Sequence, residues 1–169
     1  MKREDPFGGA WKLNADKSQF DPNHRPSSAT MHWERTPEGY KMTAEGIMGN
    51  GAVVQETPAT FILDGKDHPM LDAPGFTAIM SRPAPNAIEV ESRNVGGIIG
   101  KASYFVSGDG TTLTASVSGI GAHERSFQTV LVWGSSMRPL RSGGQIENRR
   151  AICFSAKGVG FDRSEFFVR

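Results

Sequence analysis

The sequence predicts an all-β protein, an antiparallel up-and-down meander closed into a β-barrel of about 8–10 strands. Three observations carry that expectation. Apolar and polar residues alternate over short segments along the chain, the period of a half-buried strand rather than of a helix. Turn-forming clusters separate these segments roughly every ten to fifteen residues, too closely for the crossover helices of a parallel sheet. The 20 glycines and 10 prolines among 169 residues interrupt any long helical period.

In chain order, strands are expected near residues 8–14, 28–35, 39–47, 51–63, 76–82, 86–94, 97–107, 111–119 and 125–133, with a short one beside His68. In "SATMHWER", Ala29, Met31 and Trp33 share one face, and Thr30, His32 and Glu34 share the other. "NAIEVESR" sets Ile88 and Val90 against Glu89, Glu91 and Arg93, and "TTLTASVSG" sets Leu113, Ala115 and Val117 against threonines and serines. Hairpin signals lie between them, at Gly39, Asn50-Gly51, Gly65, Asn86 and Asp109-Gly110. In "VGGIIGKASYF", Gly96, Gly97 and Gly100 fit a bulge or a sharp bend where a barrel turns its corner. That stretch lacks the Ser or Thr and the spacing of a phosphate loop and leads into a strand, not a helix. Closing the meander joins its first strand to its last and removes exposed edges.

Composition narrows the function classes. At 37% hydrophobic residues, the length suits one domain with its own core. Cys153 is the only cysteine, so no intramolecular disulfide and no cysteine-based zinc site forms, and its thiol reads as packing. A net charge of +1, from 19 Lys and Arg against 18 Asp and Glu, lacks the positive field that binding to nucleic acid requires. No run approaches the length of a membrane span, and "MKREDPFGG" is charged without the apolar segment of a signal peptide. The chain as given therefore reads as soluble and unexported; a leader trimmed ahead of residue 1 would instead make it periplasmic or secreted. Its oligomeric state is left open.

The opening residues Phe7, Gly9, Trp11, Lys12, Leu13, Asn14, Lys17, Ser18 and Phe20 spell F-x-G-x-W-K-L-N-x-x-K-S-x-F. This pattern resembles the opening of a group of bacterial lipocalin-like proteins, largely uncharacterised, and its Gly9-x-Trp11 is similar to the G-x-W on the first strand of lipocalins and the wider calycin group. The order of strands and turns from about Asp5 to Trp133 is similar to the same group. The resemblance implies structural roles for Gly9 and Trp11: the tryptophan lies across the closed end of the barrel, and the glycine lets the chain pass beneath it. It implies little about the ligand, because fold does not fix function.

The likeness ends after Trp133, so residues 1–133 are expected to form the lipocalin-like barrel domain and residues 134–169 a basic C-terminal extension, partly packed or disordered. That extension carries seven basic residues against three acidic ones, whereas residues 1–133 carry twelve against fifteen. An added strand or small helix, a disordered basic arm and an unrelated end all fit it. The resemblance further implies an arginine stacked on Trp11, for which Arg138 and Arg141 are the candidates. A structural or interaction module would use this extension to dock an acidic partner or an anionic surface.

Catalytic groups are sparse. His24, His32, His68 and His123 lie far apart, and none has a second histidine at metal-ligand spacing, so no metal site and no cofactor is expected. "DGKDHP" gathers Asp64, Asp67 and His68 at a turn, where such residues also serve solubility and Asx bonding. "GAHERS" gives His123, Glu124 and Arg125 in succession, pointing in different directions. No serine sits in a nucleophile elbow. The candidate acid–base residues are accordingly His32, His68 and His123, with His32 facing outward by alternation.

Alternation also yields an inward set: Met31, Trp33, Tyr40, Met42, Phe76, Met80, Val90, Tyr104, Leu113, Val117 and Phe127. Such a set either fills a barrel or lines a cavity for one small apolar ligand, and its soft methionines suit both. The leading expectation is noncatalytic binding of a small hydrophobic or aromatic molecule inside the barrel. The alternative is a small barrel enzyme of isomerase, cyclase or dehydratase type that uses the same cavity with a histidine or carboxylate as acid or base.

Overall fold

The computed structural model describes residues 5–20, 25–55, 58–70, 73–120 and 126–136. Its regular elements are all β-strands: β1 (Gly9–Leu13), β2 (Pro26–Thr36), β3 (Gly39–Met48), β4 (Val53–Gln55), β5 (Ala59–Ile62), β6 (Asp67–Pro69), β7 (Thr77–Ala84), β8 (Ala87–Asn94), β9 (Gly97–Val106), β10 (Thr112–Ile120) and β11 (Ser126–Ser136). They form one antiparallel sheet in the order β4-β3-β2-β1-β11-β10-β9-β8-β7-β6, with β5 also on β3. The up-and-down meander is thus present. Expected turns at Gly51, Gly65 and Gly110 each hold a glycine at positive φ.

β1 joins the two ends of the chain's path. Trp11 stands opposite Met31 of β2 on one side and Ser135 of β11 on the other. A seam remains between β5, paired with β3, and β6, paired with β7. There β5 and β7 approach each other, and no ladder joins them among the described residues.

The described residues hold more strands than the sequence pattern suggests, because the stretch 51–63 is two. Val53 and Gln55 of β4 pair with Ile47 and Glu45, whereas Ala59 and Ile62 of β5 pair with Met42 and Gly39. Pro58 precedes β5, and a proline offers no N–H to carry a continuous ladder. The bend anticipated in the glycine-rich segment is a register shift: Ser92 pairs with Gly100, but Arg93 with Ile98. His123, Cys153, Arg138, Arg141 and the extension from 137 onward lie outside the described residues.

The inner face is contiguous and apolar, running from Phe7, Trp11 and Leu13 through Met31, Trp33, Tyr40 and Met42 to Ile88, Tyr104, Leu113 and Trp133. Full burial of one such side chain contributes about 1.5–3 kcal/mol. A one-residue slip of β2 would turn Met31 and Trp33 to water and His32 inward, so this face fixes the register.

Candidate functional site

Strand direction divides the barrel into two ends. The start of β1 and the ends of β2, β5, β7, β9 and β11 meet at one end; the β3–β4, β6–β7, β8–β9 and β10–β11 connections meet at the other. The two halves of the interior differ sharply in side-chain size.

The first end is filled with aromatic rings. Trp33 sits among Phe61, Tyr104, Phe7 and Tyr40, with ring centroids 4.7, 5.3, 5.5 and 5.6 Å away, and meets Tyr104 and Tyr40 edge-on. All five residues are buried. Edge-to-face contacts of this kind contribute about 0.5–1.5 kcal/mol each beyond area burial.

A polar latch closes this end. The Tyr40 hydroxyl donates to both Asp5 carboxylate oxygens, Arg35 Nη1 donates to Oδ2 at 2.5 Å, and the Phe7 amide donates to Oδ1 at 3.2 Å. Arg82 Nη1 donates to the Tyr40 hydroxyl at 2.9 Å, and Arg82 also pairs with Asp5 at 3.6 Å. The Arg82 guanidinium lies over the rings of Phe7 and Tyr40, 5.7 and 5.6 Å from their centroids. Burial pushes the Asp5 carboxyl upward, but the hydrogen bonds from Tyr40, Arg35 and Phe7 outweigh it and hold the group below its ordinary value of 3.8. Burial, followed by the hydrogen bond to Asp5, pushes the Tyr40 phenol up to about 12.

Toward the other end the inward wall is built from small residues. Ala78, Ser92, Gly100 and Gly119 stand opposite one another on β7, β8, β9 and β10, and Phe127 of β11 follows in the same row. Gly119 permits this closeness: a Cβ there would lie 2.7 Å from the Ile99 carbonyl oxygen and 3.0 Å from the Phe127 ring. The next row inward is Met80, Val90, Ala102 and Val117, larger than the first, and Ala29, Ala44 and Gly46 line β2 and β3. Phe20, Leu63, Met70, Met80 and Phe127 are partly buried against the core. Near this end Ile47, Val53, Val95, Ile98 and Ile120 are exposed, with Ile47, Val53 and Ile120 on the outer face of their strands.

Two polar atoms inside the barrel stand out. Trp33 Nε1 and Trp133 Nε1 are buried and find no acceptor among the described residues. Trp11 differs, since its Nε1 donates to the Phe7 carbonyl at 2.9 Å. An unsatisfied buried donor costs about 1–3 kcal/mol.

Of the residues singled out in the sequence, Met31, Trp33, Tyr40, Met42, Val90, Tyr104, Leu113 and Val117 are buried on the inner face, and Phe76, Met80 and Phe127 are half-buried. They are not one cluster: Trp33, Tyr40 and Tyr104 belong to the aromatic end, while Met80, Val90, Val117 and Phe127 belong to the small-residue half. Trp11 is buried, and Gly9 has φ +122° with no atom within 4 Å of a Cβ placed there, so conformation rather than close approach calls for glycine. His32 lies between Met31 and Trp33 on the opposite, outer face. His68 stands in register with Ala78 on the inward side of edge strand β6, a third exposed, with Nε2 2.9 Å from Asp64 Oδ1. The Lys66 amide and His68 hold the Asp64 carboxyl below its ordinary value. Among the described residues, no three His, Cys, Asp or Glu side chains converge as metal ligands.

Asp5, Arg35, Arg82, Phe7, Phe61 and Trp133 were not indicated as site residues by the sequence. The two arginines did carry a signal, because Arg35 is in phase with Met31 and Trp33, and Arg82 with Ala78 and Met80, at the ends of their strands.

No family model matches the chain, and no curated protein matches it in sequence. Among solved structures, it is similar to zebrafish ileal bile acid-binding protein complexed with cholic acid, at 15% identity and TM-score 0.49 over 78% of this chain and 99% of that one. It is similar to As-p18, an extracellular fatty acid binding protein, at 14% identity and TM-score 0.49, covering 78% and 97%. A redesigned β-barrel, mFAP1 bound to DFHBI, follows at 9% identity and TM-score 0.42, covering 78% and 95%. No helix among the described residues is long and apolar enough to cross a membrane.

Proposed function

We propose that this protein is a noncatalytic binder of a small hydrophobic or aromatic molecule, held in the small-residue half of its lipocalin-like barrel and admitted at the end opposite the Asp5 latch. The observation that carries this reading is the asymmetry of the interior. Five aromatic residues crowd one end, whereas the inward wall toward the other carries Ala78, Ser92, Gly100, Gly119 and Ala102 beside Met80, Val90, Val117 and Phe127. The F-x-G-x-W opening supports the same kind of barrel. Titration with the neutral dye Nile red, read by quenching of the three buried tryptophans, tests it: saturation at one dye per chain is expected, and the absence of saturable binding by folded protein refutes it.

The enzyme reading has one observation behind it, the Asp64–His68 pair on the inward side of β6. Both side chains are about a third exposed, and water there screens a pair that acid–base chemistry would need to hold dry. His68→Gln distinguishes the two. A bound compound turned over by the unaltered protein but not by this variant would make the protein an enzyme.

A further inference from the structure

The latch end presents a receptor whose occupant is the protein's own N-terminal segment. Arg35, Tyr40 and Arg82 come from three strands, β2, β3 and β7, and converge on one carboxylate, that of Asp5. Two residues later the Phe7 ring packs against Trp33 and Tyr40, beneath the Arg82 guanidinium. Asp5 and Phe7 precede β1 and belong to no strand. They hang from the Gly8–Gly9 pair, where Gly9 takes a φ of +122° that only glycine adopts easily. Arg35, Tyr40, Arg82 and Trp33 belong to strands, and what packs against them is a short segment ahead of β1, bearing a carboxylate and a phenyl ring together and tied down where the Phe7 carbonyl accepts from Trp11 Nε1 at 2.9 Å.

We propose that Arg35, Tyr40, Arg82 and the Trp33 face form a binding site for small aromatic carboxylic acids, which Asp5 and Phe7 occupy as a tethered ligand and which a free aryl-alkyl carboxylate takes by displacing them. Two guanidinium groups and a phenol hydroxyl are the donor set that a carboxylate requires, and charge-assisted bonds of this type are about twice as strong as neutral ones. The ring wall supplies apolar contact beside that ion pair, in which Asp5 and Arg82 keep 18% and 22% of their side-chain surface in water and Arg35 is largely exposed. This site lies at the opposite end of the barrel from the proposed hydrophobic-ligand site and does not depend on it.

The test uses the full chain with Asp5→Ala and Phe7→Ala together, titrated calorimetrically with 3-phenylpropanoate and, in parallel, with the uncharged 3-phenylpropan-1-ol. A tethered occupant competes at an effective concentration on the order of millimolar, so emptying the site lowers the apparent dissociation constant for the acid about tenfold or more relative to the unaltered chain. The alcohol gains less than about twofold, because it lacks the charge the two arginines recognise. Adding Arg82→Gln abolishes the gain. A folded double variant that binds the acid no more tightly than the unaltered chain, or gains equally for acid and alcohol, or keeps its gain after Arg82→Gln, overturns the proposal. Should the double variant not fold, the amide resonances of Asp5 and Phe7 in the unaltered protein decide. Movement toward random-coil positions with the acid but not the alcohol supports displacement, and no movement up to about 50 mM acid overturns it.

Discussion

Replacing Tyr40 with phenylalanine removes one oxygen and little else, which makes it the sharpest probe of the latch. The hydroxyl donates to the Asp5 carboxylate and accepts from Arg82 Nη1 at 2.9 Å. Its loss strips a half-buried carboxylate of a donor and a guanidinium of an acceptor. Hydrogen bonds to charged groups contribute about 1.5–3 kcal/mol. Asp5 and Arg82 keep 18% and 22% of their side-chain surface in water, which replaces part of what is lost. The expected cost is about 2 kcal/mol at pH 7, a fall of about 4–8 °C in Tm for a chain of this size. The acid dependence separates the latch from simple packing. The Asp5 carboxyl is held below its ordinary value, so its stabilisation is complete above pH 3.8 and is lost as pH falls through the folded value. Urea melts of the unaltered protein and Tyr40→Phe should therefore differ by about 2 kcal/mol at pH 7 and converge in stronger acid, where the carboxyl is neutral. A difference below about 0.5 kcal/mol at pH 7, or an equal difference at both pH values, would refute the reasoning.

Further outcomes follow from the same geometry. The Tyr40 phenol is raised from 10.0 to about 12, so the stability it confers as a neutral group is present below pH 10 and lost as pH rises toward 12; Tyr40→Phe should lack that alkaline limb in equilibrium melts. Trp33→Ala empties the centre of the aromatic cluster and should cost about 3–5 kcal/mol in denaturant titration. Gly119→Ala places a methyl group 2.7 Å from the Ile99 carbonyl oxygen and should destabilise by about 1–3 kcal/mol. Asp64→Asn, which weakens an exposed pair with His68, should change stability by less than about 0.5 kcal/mol.

The meander was legible because alternation and turn chemistry agree along the chain. The expected segments 39–47 and 86–94 closely match Gly39–Met48 and Ala87–Asn94, each bounded by a turn whose residues announce it. The split of 51–63 was not legible, because β4 and β5 add to the same edge of β3, and only the pairing register reveals that Pro58 stands between two ladders. Of the site, the inward aromatic and methionine positions could be read from period two, but their division between the two ends could not, since that depends on which strands oppose each other. The latch was hidden for another reason. Its members stand at positions 5, 35, 40 and 82, and charged residues at strand ends normally point to water. Only the phase of Arg35 with Trp33 and of Arg82 with Met80 puts them on the side of the inner face, Arg82 partly buried and Arg35 exposed at the strand end.

The most direct test of the two-ended interior is Ala102→Trp, read for both stability and Nile red binding. Ala102 is buried between Val90 and Val117 in the middle of the small-residue wall. If this half encloses space for a ligand, the indole enters that space, stability changes by less than about 1 kcal/mol and the dye no longer binds. A loss of about 1–3 kcal/mol or more from overpacking, with dye binding to the unaltered protein absent or to the variant unchanged, would contradict the account.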